Sequence, residues 1–239
     1  ALAFYSMGIN FGILFGFLAG GWLNEFFDWR VAFFVVGAPG IVVALFVRYT
    51  LREPVRGLME DRQDVATDTP FPEVLNLLWS RLSFRHLAIG GALNAFAGYS
   101  SSNWTASFMI RSHDMSTGEL GTWLALIMGV GGAIGVFWGS YIAERLAKFD
   151  VRWYMWMPTI TGMICVPFMI ATYVVEGAYT ALIVSIVPGV LFNVYLGNSL
   201  AMTHALVGLR MRAVASAILF FLINLIGMGL GPWGVGLLS

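Results

Sequence analysis

The stretch LREPVRGLMEDRQDVATDTPFPEVLNLLWSRLSFRH, Leu51 to His86, decides the fold through what it separates. It holds six of the thirteen Asp and Glu and five of the thirteen Lys and Arg, whereas the chain on either side is nearly charge-free and apolar. A charge at the bilayer centre costs roughly 2.5–3.5 kcal/mol on insertion scales, so this run cannot lie in hydrocarbon. It reads as a water-side connection between two membrane-embedded blocks.

Outward from it, the composition agrees. Across 239 residues, 59% are hydrophobic and 11% charged, with mean hydropathy +0.80, far too little polar surface to cover a soluble globule. The net charge of zero implies no nucleic-acid partner. The single cysteine, Cys165, lies in an apolar run and can form no internal disulfide.

A spanning helix needs about 20 mainly apolar residues. Seven runs fit, at 1–24, 31–50, 86–109, 120–142, 153–174, 178–206 and 213–238. The fold class expected is therefore an all-α membrane protein. On one side of the alternating connections lie Arg48, Arg52, Arg56, Arg62, Arg81, Arg85, Arg145, Lys148, Arg152, Arg210 and Arg212, and on the other only Arg30 and Arg111. By the positive-inside rule the first side is cytoplasmic, so the chain reads as starting inside and ending outside. With apolar runs at both ends and an odd span count, it reads as a fragment of a longer multi-pass protein of the plasma (inner) membrane. Within the polar interruption, Pro70 to Arg85 has the pattern of an interfacial helix, with Val74, Leu75, Leu78 and Trp79 on one face, or of a plain linker.

Span one repeats glycine every four residues at Gly8, Gly12, Gly16 and Gly20, with Gly21 adjacent, and span four does so at Gly131, Gly135 and Gly139. Such stripes let helix backbones approach closely, either as static packing or as a seam along which two bundles rock. The acids all lie in connections or near span ends, so a proton-coupling carboxylate at mid-depth is expected outside this portion. The only Lys, Lys148, sits at a membrane edge, which argues against a retinal receptor. His86, His113 and His204 are too scattered to make a metal site, and no cofactor is implied.

The mid-depth polar residues are uncharged. Tyr99, Asn193 and Asn224 fall near the bilayer centre, where polar side chains face a cavity or glue helices together. Asn94, Ser101 and Thr105 share one face of span three while Tyr99 and Asn103 share the other, so GYSSSNWT, Gly98 to Thr105, is a candidate for local unwinding. Glu144 and Arg145, like Arg210 and Arg212, stand at helix termini as gate candidates or as membrane-edge anchors.

The segment GSYIAERLAKFDVR, Gly139 to Arg152, resembles the cytoplasmic loop signature of the major facilitator superfamily in its second-half copy, with Glu144 at the usual Asp position and Arg145 and Lys148 at basic ones. Asp28-Trp29-Arg30 resembles the short link between that superfamily's fifth and sixth helices. FFVVGAPGIVVALFVRYTLREPVRG (Phe33 to Gly57), FAGYSSSNWTASFMIRSHDMSTGELG (Phe96 to Gly121) and RMRAVASAILFFLINLIGMGLGPWGVGLLS (Arg210 to Ser239) together resemble the spinster-like branch. The resemblance implies a partial superfamily bundle, helices five to eleven of twelve. Residues 1–50 become the last two helices of the first six-helix half, 51–85 the cytoplasmic link, and 86–239 the first five helices of the second half. Spans one and four become the pair packed across the halves. Spans three and six become cavity-lining helices, which adds Asn103, Trp104 and His204 to the cavity candidates. Two departures stand out: Glu144 replaces the commoner Asp, and the proline expected shortly after Trp104 is absent.

The function implied is not enzymatic. It is secondary active transport by alternating access, of an amphipathic, lysolipid-like small molecule, with a coupling ion such as the proton. The alternatives are a broad organic-anion or drug carrier of the same superfamily, and a non-transporting membrane receptor or scaffold.

Overall fold

The computed structural model describes residues 2–51 and 70–237. The linker positions 52–69, with Arg52, Arg56 and Arg62, lie outside the described residues. The described residues are helical nearly throughout. The long elements are α1 (Leu2–Phe26), α2 (Trp29–Thr50), α4 (Leu82–His113) and α7 (Trp153–Val174). Before α4 lies the short α3 (Phe71–Ser80). Three further rods are segmented: α5 (Thr117–Leu124) passes through a π-helical turn at Ala125–Val130 into α6 (Gly131–Ala147). α8 (Ala178–Leu191) breaks at Phe192 and Asn193 before α9 (Val194–Ala205). α10 (Arg212–Asn224) passes through a second π turn, Leu225–Leu230, into α11 (Gly231–Gly236).

These seven rods stand where the seven spans are expected. Among the described residues, five satisfy length and apolarity for crossing a membrane on their own: Trp29–Thr50, Thr117–Ala147, Trp153–Val174, Ala178–Ala205 and Leu209–Gly236. The α4 rod falls short of that mark because its middle carries Asn94, Ser100 to Ser102 and Asn103. GYSSSNWT is not unwound: α4 runs unbroken from Leu82 to His113, so the missing proline leaves no irregularity. The interfacial helix is shorter than the interval 70–85, because the chain turns at Arg81 (φ −85°, ψ 113°) straight into α4. Its predicted apolar face also divides. Val74 and Leu78 are fully buried against α4 and α10, while Leu75 and Trp79 remain exposed.

Since each rod reverses the last, Arg48, Arg81, Arg85, Arg145, Lys148, Arg152, Arg210 and Arg212 gather at one end, here termed the basic end. The opposite end is turned tightly. Asp114 adopts the left-handed conformation (φ 51°) that closes α4, and Ser116 caps α5 by accepting the Glu119 N–H at 3.3 Å. Gly177 (φ 100°) supplies the turn before α8, a backbone angle that a side chain would strain. One core packs α3, α4 and α10 at the basic end through Leu78, Phe84, Leu219 and Ile223. A second packs Met109, Leu120, Leu124 and Leu182 at the other. α2 leans on α1 and buries none of its residues among those described.

Candidate functional site

A close approach of helices forms the seam of α1 with α5, the π turn after it and the start of α6. On α1 it uses Asn10, Leu14, Phe17, Gly21 and Glu25, spaced four, three, four and four residues apart. Opposite them stand Gly132, Gly129, Gly121 and Gly118. A Cβ on Gly121 would lie 2.6 Å from the Phe17 carbonyl oxygen and 2.9 Å from Gly21 Cα. A Cβ on Gly129 would lie 2.7 Å from Leu14 Cβ. The backbones touch because these positions have no side chain.

The glycines expected to make this seam do not. A Cβ on Gly8, Gly12, Gly16 or Gly20 would meet nothing within 4 Å among the described residues. Gly8 and Gly12 sit two residues from Asn10 and Leu14, about 200° around the helix and so on its far face, while Gly16 and Gly20 sit one residue from Phe17 and Gly21, about 100° to the side. Gly131, Gly135 and Gly139 do line a seam, but with α8 and α9: a Cβ on Gly135 would overlap the Val190 carbonyl, and one on Gly139 would lie 2.6 Å from Val194 Cγ2.

Of the mid-depth residues, the structure joins Tyr99 and Asn224. The Tyr99 hydroxyl donates to Asn224 Oδ1 at 3.4 Å, linking α4 to α10, and both side chains are exposed. Asn103 is exposed one turn along α4 and its amide donates to the Tyr99 carbonyl at 2.8 Å. Trp104 is directed elsewhere. Its indole N–H donates to the Pro232 carbonyl at 3.1 Å and its ring lies against Gly236, so it binds α4 to α11. Ser101 and Thr105, on a further face, reach the Tyr173 hydroxyl of α7 at 3.2 and 2.7 Å.

Asn193 occupies the break between α8 and α9 and donates to the Gly189 carbonyl at 3.2 Å. A Cβ on Gly132 would lie 2.6 Å from Asn10 Oδ1 and 3.2 Å from Asn193 Nδ2, so α1, α6 and α8 meet over one glycine with two amides. Asn10 is 5% exposed and was not singled out from sequence. An amide nine residues into an apolar span was the available signal. His204 lies nearer the basic end, 2.7 Å from the Ser216 hydroxyl of α10. That hydroxyl also donates to the Arg212 carbonyl at 2.8 Å, which leaves it to accept from the imidazole N–H. His204 thus ties α9 to α10.

A separate cleft of about 600 Å³ opens between α4, α7 and α9, with His86, Asn94, Arg152, Tyr195, Ser199 and Met202 among its walls. Asn94 Nδ2 is buried there without a partner. None of the other mid-depth candidates lines it.

A family model for the Major Facilitator Superfamily matches residues 1–232. The chain belongs to the major facilitator superfamily. It is 31% identical over 238 residues to an MFS-type efflux pump of Mycolicibacterium smegmatis, covering 100% of this chain and 54% of that protein. It is also similar to the crystal structure of a bacterial homologue of the human lysosomal transporter Spinster in an inward-facing, unoccupied conformation. That similarity has a TM-score of 0.71 and 30% identity, over 95% of this chain and 49% of that one. The chain therefore spans about half the length of these relatives, and the spinster-like resemblance of its sequence holds in its structure.

As a superfamily member it is a multi-pass membrane protein, and its basic-end residues are its gate candidates. Glu144 is exposed and makes no ion pair or hydrogen bond among the described residues. Arg145 lies over the Tyr141 ring at 4.7 Å. The opposite end is tied across the seam: Glu25 Oε2 accepts the Gly118 N–H at 2.5 Å, and the Trp22 indole donates to Thr122 at 2.9 Å. Neither residue was a candidate from sequence, because a lone Glu near a span end resembles any other water-side acid.

Proposed function

We propose that the protein containing this chain is a secondary active transporter that works by alternating access and carries an amphipathic, lipid-like small molecule. One observation carries this reading. The seam of α1 with α5 is bare backbone, and polar bonds tie it at the end away from the basic residues. Such a seam suits rocking, because it offers few interlocked side chains to separate. On this reading residues 1–50 end one six-helix half, 51–85 link the halves, and 86–239 begin the other. The basic end faces the cytoplasm of a plasma (inner) membrane protein.

The cargo class follows from Tyr99, Asn103 and Asn224, an exposed, uncharged, partly aromatic set. A phosphorylated or strongly acidic cargo requires a basic side chain at that depth. On this reading Glu144, Arg145, Lys148, Arg210 and Arg212 are the gate candidates, and transport is driven by a coupling ion such as the proton. A second reading, a drug or organic-anion carrier, accords with efflux, the activity of the M. smegmatis relative.

The test is uptake of a fluorescent lysolipid into proteoliposomes of the full-length protein under an imposed pH gradient, with empty liposomes as control. Gradient-dependent flux supports the lipid-like cargo. Flux of organic cations or anions without lysolipid flux moves the assignment to the second reading, and binding without any flux overturns transport.

A further inference from the structure

The last turn of α1 meets the first turn of α5 in three polar contacts that join residues 93 to 100 positions apart. The Trp22 indole donates to Thr122 Oγ1 at 2.9 Å, and Thr117 Oγ1 donates to the Gly21 carbonyl at 3.3 Å. Between them the Glu25 carboxylate accepts the Gly118 N–H at 2.5 Å. The helix has its own cap in Ser116, which serves the Glu119 N–H and leaves the Gly118 N–H among the donors without an intrahelical partner. A carboxylate there gains both a charge-assisted bond and the favourable end of the helix dipole. Gly118 is shaped for it, since a Cβ would lie 2.6 Å from the carboxylate oxygen and 2.8 Å from the Trp22 ring. Glu25 is the only charged side chain among these three contacts.

We propose that Glu25 is a gating residue for the transport inferred above, on which this rests. Its carboxylate caps α5 from the neighbouring half and holds the end opposite the basic loops shut. Opening that end exchanges the bond for water. Because Glu25 is exposed, the bias is modest, about twofold to fivefold in the ratio of shut to open.

The experiment uses the full-length protein with spin labels at Phe27→Cys and Ser112→Cys across this end, and at Leu51→Cys and Phe149→Cys across the other. Glu25→Gln is expected to raise the population of long Phe27–Ser112 distances by that factor and to shorten the Leu51–Phe149 distances reciprocally. Glu25→Asp, which keeps the charge, should recover part of the shift. Trp22→Phe, which removes a neighbouring bond and no charge, should act in the same direction and less. Unchanged distances in a folded Glu25→Gln protein, or lengthening at one end without the reciprocal change, would overturn the proposal. Flux measured on the unsubstituted protein separates the two claims: flux with distances insensitive to Glu25 sinks the latch alone, and absence of flux sinks the transport reading.

Discussion

Gly121 and Gly16 show how differently two glycines of similar sequence context behave. A methyl group on Gly121 would press into the Phe17 carbonyl and Gly21 Cα, both backbone atoms with little room to give, whereas one on Gly16 would meet nothing described. Overpacking of this kind costs typically about 1–3 kcal/mol. Gly121→Ala is expected to lower the thermal stability of the full-length protein or splay α1 from α5. Thermal unfolding of the purified variant beside the unsubstituted protein tests this, and unchanged stability would refute the assigned seam. The polar residues divide in the same way. Trp104 spends its N–H on Pro232, so Trp104→Phe should perturb α11 packing more than cargo affinity. Tyr99→Phe and Asn224→Ala remove an exposed, long hydrogen bond and should weaken transport with little loss of folded protein. Parallel losses of flux and of monodisperse protein would instead mark the pair as helix glue, which in membranes is worth about 0.6 kcal/mol on average.

Among the elements, α3 was only half legible. Its pattern put Val74, Leu75, Leu78 and Trp79 together, and the fold buries Val74 and Leu78 completely while leaving Leu75 and Trp79 exposed. Which edge of an amphipathic helix meets protein depends on the neighbour, here α10, and not on the helix. Val74→Asp is expected to release α3 and raise protease cleavage near residues 70–81, whereas Leu75→Asp should be tolerated. Limited proteolysis of the full-length protein in detergent measures the difference. In the rod from α5 to α6, the π turn at Ala125–Val130 inserts extra backbone, so a constant 100° repeat does not carry a face from one half to the other. Within α6, Gly132 faces α1 while Gly131, Gly135 and Gly139 face α8 and α9, because neighbouring residues such as Gly131 and Gly132 point about 100° apart.

At the scale of the molecule, the alternating rods collect the basic termini at one end, and orientation becomes testable. Single cysteines at Ser112 and Phe149, both exposed and at opposite ends, should react with a membrane-impermeant maleimide from opposite sides of intact cells. Labelling of Ser112→Cys from outside and of Phe149→Cys only after permeabilisation is the expected result, and the reverse would invert the topology. The sequence alone determined that seven apolar rods flank a charged connection, because hydropathy and span length are local properties that bilayer thickness converts directly into structure. It determined the superfamily resemblance for the same reason, through short contiguous motifs. Which glycine stripe closes a seam, which amide meets Asn10 over Gly132, and which acid reaches across to cap α5 were decided only by tertiary structure. Those contacts depend on the rotation of each rod about its axis, and a four-residue spacing, identical on several faces of a helix, does not encode that rotation.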